Sequence, residues 1–266
     1  FLFLYANYRL KDRRWLIPAL AAGALAFYSY SPLQLVVVLS GVVFLLADWR
    51  YHFAEPKSWQ RGLAALVLLA APYLVFRLTH AEALGQHLRI VHSYWVSGIS
   101  LSEKITQFLW RWLKGINPLY WYFPNNQDLI RHLMKGYGHL PWLFLPFTLL
   151  GLWRCLCQKR EPANRVLLIA LLVAPSGAAL VDVAITRLLV MVVPLALLTG
   201  LGVNETLVWR SAKMKAQSLP SLGLALALTA AAGWMTRDAI VNGPTWYSDY
   251  SLYGMQWGGQ QLSAKI

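Results

Sequence analysis

Residues 61–78, RGLAALVLLAAPYLVFRL, decide what kind of protein this is. A helix needs roughly 20 apolar residues to cross ~30 Å of hydrocarbon, with about 17 as the lower end. This run reaches that length. Its apolar residues are continuous rather than alternating, so it does not read as a strand of a membrane β-barrel. Working outward, similar runs occupy 33–47 and 15–30 on one side, and 139–157, 165–182, 187–204 and 219–234 on the other. Residues 1–8 read as the tail of one more. The fold class expected is all-α: a polytopic integral membrane helical bundle with about seven full transmembrane helices plus a partial one.

Composition agrees. The chain of 266 residues is 58% hydrophobic and only 13% charged, where soluble domains carry about 25% charged residues. Thirteen Trp and 13 Tyr suit the two interfaces of a bilayer. The formal net charge of +13 needs no nucleic acid to explain it, because the charges cluster in particular loops. Arg9, Lys11, Arg13 and Arg14 form one group; Arg50, Lys57 and Arg61 another. Arg154, Lys159, Arg160 and Arg165 follow, then Arg210, Lys213 and Lys215. The short loops of the opposite set, with their flanks, hold only Arg187. The positive-inside rule then puts the loops after 8, 47, 157 and 204 in the cytoplasm. The long stretch 79–138 and the tail from 235 fall outside the cell, at a bacterial plasma membrane. Residues 1–236 are expected to form the transmembrane domain, and 237–266 to begin an extracytoplasmic segment. The chain opens inside an apolar run, FLFLYANY, without an initiating Met. It is read as a fragment whose N-terminal part is missing.

The long outer loop holds two features. In 105–116, Ile105, Phe108, Leu109, Trp112, Leu113 and Ile116 recur at helical spacing, with Glu103, Lys104, Gln107, Arg111 and Lys114 on other faces. A helix this short and this two-faced is expected to lie in the membrane interface. Ser100 and Glu103 have capping-box spacing, and Asn117-Pro118 breaks the helix. The second feature is 123–142, FPNNQDLIRHLMKGYGHLPW. Arg131, His132 and Lys135 gather positive charge there, with Asp128 upstream and Tyr137 between two glycines. Such a cluster binds a phosphate headgroup, or forms a solvated face against anionic lipid. The aromatics nearby, Trp110, Trp112, Tyr120, Trp121, Tyr122, Phe123, Tyr137 and Trp142, are read mostly as interfacial anchors.

Other signals are sparse. Asp182 and Arg187 close a turn between two apolar runs. Spacing alone favours a local ion pair; the functional reading is that Arg187 holds an anion, since its planar fork of donors suits phosphate oxygens. There is no P-loop, no H-E-x-x-H, no G-x-S-x-G and no G-x-G-x-x-G. Five of the six histidines (80, 87, 92, 132 and 139) lie in the outer loop, and none has ligand-like spacing. Cys155 and Cys157 read as reduced cysteines at a helix end, since a closed zinc site needs four ligands. A divalent metal as cofactor therefore rests on no residue of this chain.

Four stretches in this order carry a resemblance: AGALAFYSYSPLQLVVVLSGVVFLL, NPLYWYFPNNQDLIRHLMKGYGHLPWLFLPFTLLGLW, TRLLVMVVPLALLTGLGV and YSDYSLYGMQWGGQQL. The chain resembles the bacterial members of the dolichyl-phosphate-mannose–protein mannosyltransferase family, within the GT-C class of polytopic glycosyltransferases. The resemblance implies transfer of a sugar from a polyprenyl-phosphate carrier to a protein or glycolipid acceptor on the outer side. It implies an acidic catalytic residue in the first outer loop, upstream of residue 1 here, for which Asp128 is a weak stand-in. Substrate-binding candidates are Arg187, Arg131, His132, Lys135, Tyr137 and Asp182. The partners expected are the sugar lipid, its acceptor and membrane lipids, without nucleic acid. The other readings are a transporter or flippase, and a lipid-linked polysaccharide ligase or polymerase. A transporter favours polar or broken helices at the midplane and repeated halves, and neither stands out in this sequence.

Overall fold

Prolines mark where several helices begin. With φ already fixed and no N–H to lose, proline suits a first helical turn, and Pro32, Pro56, Pro118 and Pro162 each sit there. A computed structural model of the chain describes residues 1–129, 132–213 and 218–243. It contains α1 (Leu2–Leu10), α2 (Leu16–Ser29), α3 (Ser31–Ala47), α4 (Trp49–Phe53), α5 (Pro56–Thr79), α6 (Ala83–Ile90) and α7 (Leu101–Ile116). There follow α8 (Pro118–Tyr122), α9 (Leu145–Cys157), α10 (Pro162–Val173), α11 (Ser176–Ala179), α12 (Ile185–Leu188), α13 (Val192–Lys213) and α14 (Ser218–Val241). No strand occurs among the described residues. Arg131 and the tail beyond 243 lie outside the described residues.

Four helical stretches are long and apolar enough to cross a membrane: Pro56–Thr79, Pro162–Ala179, Ile185–Val208 and Leu222–Val241. Helix α5, with 24 residues, is ~36 Å long at ~1.5 Å per residue. Only 6% of its most apolar window is buried, and none of that in α14. Leu63, Leu66, Val67, Leu68, Leu74, Val75 and Leu78 all face outward from α5. A continuous apolar surface of this kind is covered by hydrocarbon rather than water, and the chain is membrane-embedded.

The segments 15–30, 33–47 and 139–157 make shorter helices than a full span. Helix α2 has 14 residues, ~21 Å at the same rise, and ends at an extended Tyr30. Helix α3 has 17 residues, and Trp142–Cys157 is likewise a shorter apolar helix.

The chain divides into two units, Phe1–Ile116 with Leu152–Leu197, and Asn117–Gly151 with Leu198–Ile266. In the first, α2 packs on α1, α3 and α5, α10 packs on α1 and α3, and α11 packs on α3 and α7. Tyr5, Tyr8, Ala19, Val36, Phe44, Val166, Ile169 and Val173 form its core. A side chain at Gly177 would collide with the Pro32 carbonyl, so the close seat of α11 on α3 needs glycine. Pro72 lies inside α5, which runs on through it. The Tyr28 hydroxyl, from α2, donates to Leu69 O (2.7 Å) and accepts from Tyr73 N–H (3.2 Å).

At one end of this unit lies a buried ion triad. Arg9 grips Asp48 with two bonds, Nε to Oδ2 at 2.7 Å and a second nitrogen to Oδ1 at 3.0 Å. Arg165 donates to the same carboxylate. The Asp48 side chain is 3% exposed. Tyr5 O–H donates to Asp48 Oδ2 (3.3 Å), and His52 Nε2 lies 3.1 Å from that hydroxyl. A carboxylate only accepts, so Tyr5 gives it its proton and takes one from His52 Nε2–H; Nδ1 then accepts from Tyr8 O–H at 3.1 Å. Burial lowers the His52 pKa below its ordinary value; the Phe44 carbonyl and Asp48 oppose this, and Arg9 and Arg13 reinforce it.

Candidate functional site

Two polar centres contain the residues singled out from the sequence, one in each unit. The first is the turn from α11 to α12. A helix end leaves backbone carbonyls without partners, and here side chains of the 93–111 stretch supply them. Tyr94 O–H donates to Ala179 O (2.7 Å), Ser93 O–H to Leu180 O (2.5 Å), and Arg111 to Val181 O. Just before Ser93, His92 takes a left-handed conformation with φ 54°. Few non-glycine residues do so, and the chain turns there between α6 and the 3-10 turn that carries Tyr94. The Arg111 guanidinium also lies over the Tyr94 ring, 4.3 Å from its centroid. Burial raises the Tyr94 pKa, opposed by its bond with Trp95 and by the Arg111 charge.

Asp182 and Arg187 do not pair side chain to side chain. The Asp182 carboxylate accepts from Val183 N–H (2.8 Å) and stands 3.9 Å from Arg111 Nε. Its side chain is 66% exposed. Arg187 donates to the Asp182 main-chain carbonyl at 3.4 Å. The turn thus holds two guanidinium groups and one exposed carboxylate, in a loose arrangement that leaves donors available to an incoming anion.

Helix α7 brings Arg111 to this turn. Its start is a reciprocal capping box: Ser100 N–H and O–H both donate to Glu103 Oε2 (2.9 and 2.8 Å), and Glu103 N–H donates to Ser100 Oγ (3.3 Å). These bonds hold the Glu103 pKa below its ordinary value. The apolar arc of α7 is shared between two surroundings. Trp112 N–H donates to Leu172 O (2.8 Å), and Gly115 packs on Pro175 so closely that a side chain would collide. Leu101, Ile105, Leu109, Trp110 and Leu113 stay exposed.

The second centre is the loop 117–144. Asn117 caps α8 by accepting from Leu119 N–H at 3.0 Å. Asp128, with its side chain 0% exposed, accepts from Tyr120 O–H (2.9 Å) and lies 3.0 Å from His139 Nε2. The His139 ring leans on Tyr120 and Trp121. Burial, then the Asp128 charge and bond, raise the Tyr120 pKa. The two glycines have separate causes. Gly136 has φ +83°, and any Cβ at Gly138 would strike the backbone of 121–123. The loop is folded back on α8, and Leu140 N–H donates to Trp121 O (2.8 Å).

Three aromatics read as interfacial anchors are core residues instead. Tyr120, Trp121 and Tyr122 are fully buried. Both tyrosine hydroxyls have partners, Asp128 for one and Thr148 (2.6 Å) for the other, which makes deep burial affordable for a polar tip. Trp110 and Trp142 are exposed, as anchors should be.

The candidate residues fall in both units. Arg187 and Asp182 belong to the first unit, and Asp128, His132, Lys135 and Tyr137 to the second. Lys135 is exposed, and His132 Nδ1 is buried with no hydrogen-bond partner among the described residues. A hydrogen bond to Asp238 of α14 is the main cause raising the Tyr137 pKa, so its hydroxyl is engaged within the protein. Asp128 is enclosed, bonded to Tyr120 and adjacent to His139. Arg111 and His139 were not singled out as site residues, though both lay in the sequence beside features that were. No group of three or more His, Cys, Asp or Glu that could hold a metal stands together among the described residues. No protein-family model, no curated protein and no solved structure matches the chain.

Proposed function

We propose that the chain is part of a membrane glycosyltransferase that moves a sugar from a polyprenyl-phosphate carrier to an acceptor on the extracytoplasmic side. The observation that carries this reading is the build of α7 and the turn it meets. One side of the helix delivers Arg111 to a turn that also holds Arg187, and the other presents an apolar stripe. A carrier lipid has the matching form, an anionic head on a long apolar tail. The stripe would lie in the outer interface, with the two guanidiniums just above the hydrocarbon.

The finer topology belongs to the same proposal. The seven spans of the sequence reading include α2, α3 and α9 as short crossings. The basic loops, with the Asp48 triad, lie in the cytoplasm, and the 180–187 turn and the 79–138 loop lie outside. When the sugar is attacked, the phosphate leaves as an anion, and preset guanidinium donors stabilise the charge that develops. The acceptor's proton goes to a carboxylate, which the resemblance to the mannosyltransferase family places in the first outer loop of that family.

The test is transfer of labelled sugar from polyprenyl-phosphate hexose by the full-length protein in liposomes. Arg187→Ala should reduce turnover by about 10²–10³-fold, the scale for losing one such donor, with an unchanged melting temperature. Arg187→Lys should recover only part, because an ammonium lacks the planar fork. Normal turnover by Arg187→Ala would remove that residue from the site. Carrier flipping without any sugar transfer would favour a flippase.

A further inference from the structure

The buried triad of the first unit has a second property that its structural role leaves unused. Two guanidiniums, Arg9 and Arg165, share the single carboxylate of Asp48, which leaves positive charge in excess. Arg13 adds to it, stacked 4.4 Å from the centroid of the Tyr51 ring, with its counter-ion Glu55 at 3.2 Å but half exposed. Two buried donors here, Arg13 NH1 and Arg165 Nε, have no acceptor among the described residues. A surface hollow lies beside the triad, lined by Arg9, Ala47, Asp48, Trp49, Arg50 and Tyr51, with Arg50 exposed at it; Arg13 does not line it but stacks on its Tyr51 wall.

Excess guanidinium charge beside an open hollow is relieved best by a ligand with several oxygens and negative charge, and guanidinium binds phosphate bidentately. Basic pockets between membrane helices bind the phosphate heads of anionic lipids. We propose that this hollow binds a phosphate-bearing anion, held by Arg50 beside the Arg9–Asp48–Arg165 triad, with the Arg13 charge adding to the field from its seat on the Tyr51 ring. An inner-leaflet phospholipid head and a soluble phosphate share that chemistry. The site is separate from the α11–α12 turn and does not depend on the transferase reading.

The experiment measures the melting temperature of the purified full-length protein in detergent, with phosphatidylglycerol, with phosphatidylcholine, or with inorganic phosphate. The variant is Arg13→Gln/Arg50→Gln, which leaves the triad intact; Arg154→Gln is the charge control. Stabilisation by phosphatidylglycerol but not phosphatidylcholine, lost in the double variant and kept in Arg154→Gln, supports a lipid head as ligand. The same pattern with inorganic phosphate supports a soluble one. Equal stabilisation of wild type and double variant by every anion, or no stabilisation by any, overturns the proposal. Should the double variant fail to fold, phosphorus NMR line-broadening of the same phosphate probes on wild type and Arg154→Gln decides. Broadening that titrates to saturation supports the site, and its absence overturns it.

Discussion

The first unit contains the same three charges twice. Around Asp48 stand Arg9 and Arg165; around Asp182 stand Arg111 and Arg187. The two sets differ in closure. At Asp48 both oxygens are taken, Oδ2 by Arg9 at 2.7 Å and Oδ1 by Arg9 and Arg165, and the carboxylate is sealed from solvent. At Asp182 the nearest guanidinium nitrogen is 3.9 Å away, two thirds of the side chain is exposed, and Arg187 bonds to the main chain instead. A sealed set of charges holds helices together, since removing one member strands the others in a low dielectric. An open set contributes little to stability and keeps donors for a ligand. Identical residue types thus serve different ends according to burial.

The sharpest way to break this contrast is to delete each carboxylate in turn. Asp48→Asn should cost about 3–5 kcal/mol, the scale for breaking a buried ion pair, and Asp182→Asn less than about 1 kcal/mol, as for exposed pairs. Thermal unfolding of the two variants in detergent checks it, and similar losses would end the distinction. A buried carboxylate in the second unit offers an intermediate case. Asp128→Asn should cost about 1–3 kcal/mol, the range for a buried partner left unsatisfied, since Tyr120 and His139 both lean on it. A cost no larger than that of Asp182→Asn would show that closure does not set the scale.

The smallest effect concerns pH. Burial holds the folded pKa of His52 below the ordinary value of about 6.5. Below that ordinary value the unfolded chain binds a proton that the folded one refuses. The contribution is therefore complete above about pH 6.5 and is lost as pH falls through the folded pKa. The melting temperature should drop over that window in wild type and change less in His52→Gln. A wild-type curve as flat as the variant's would detach His52 from the triad.

The helical class was legible because apolar runs report on short-range order. Residues 61–78 lie within one helix, α5, and Ser100 and Glu103, three residues apart, form the capping box their spacing announced. The Asp48 triad was not legible. Its partners lie 39 and 117 residues away, and Arg9 and Arg165 read equally well as solvated loop charges. The one local hint was an acid directly following the apolar run 33–47. Similarly, Asp128 and His139 sit 11 residues apart across a loop whose reversal depends on Gly136 and Gly138, and no periodicity brings them together. Helix α7 lay between these extremes. Its apolar arc was visible, but the division of that arc, with Trp112 against the protein and Leu109 facing out, depends on the end of α10 and on α11, which the sequence does not place.

The hydroxyl that Tyr28 lends to α5 acts as a splint. Beside Pro72, whose missing N–H takes the helical donor from the Leu68 carbonyl, it engages the next pair along, Leu69 O and Tyr73 N–H, among lipid tails that offer neither donor nor acceptor. The bonds come from a different helix, so α2 and α5 are tied near the C-terminal end of α2. Any tilt of α5 during a working cycle must carry α2 along, or else snap the splint.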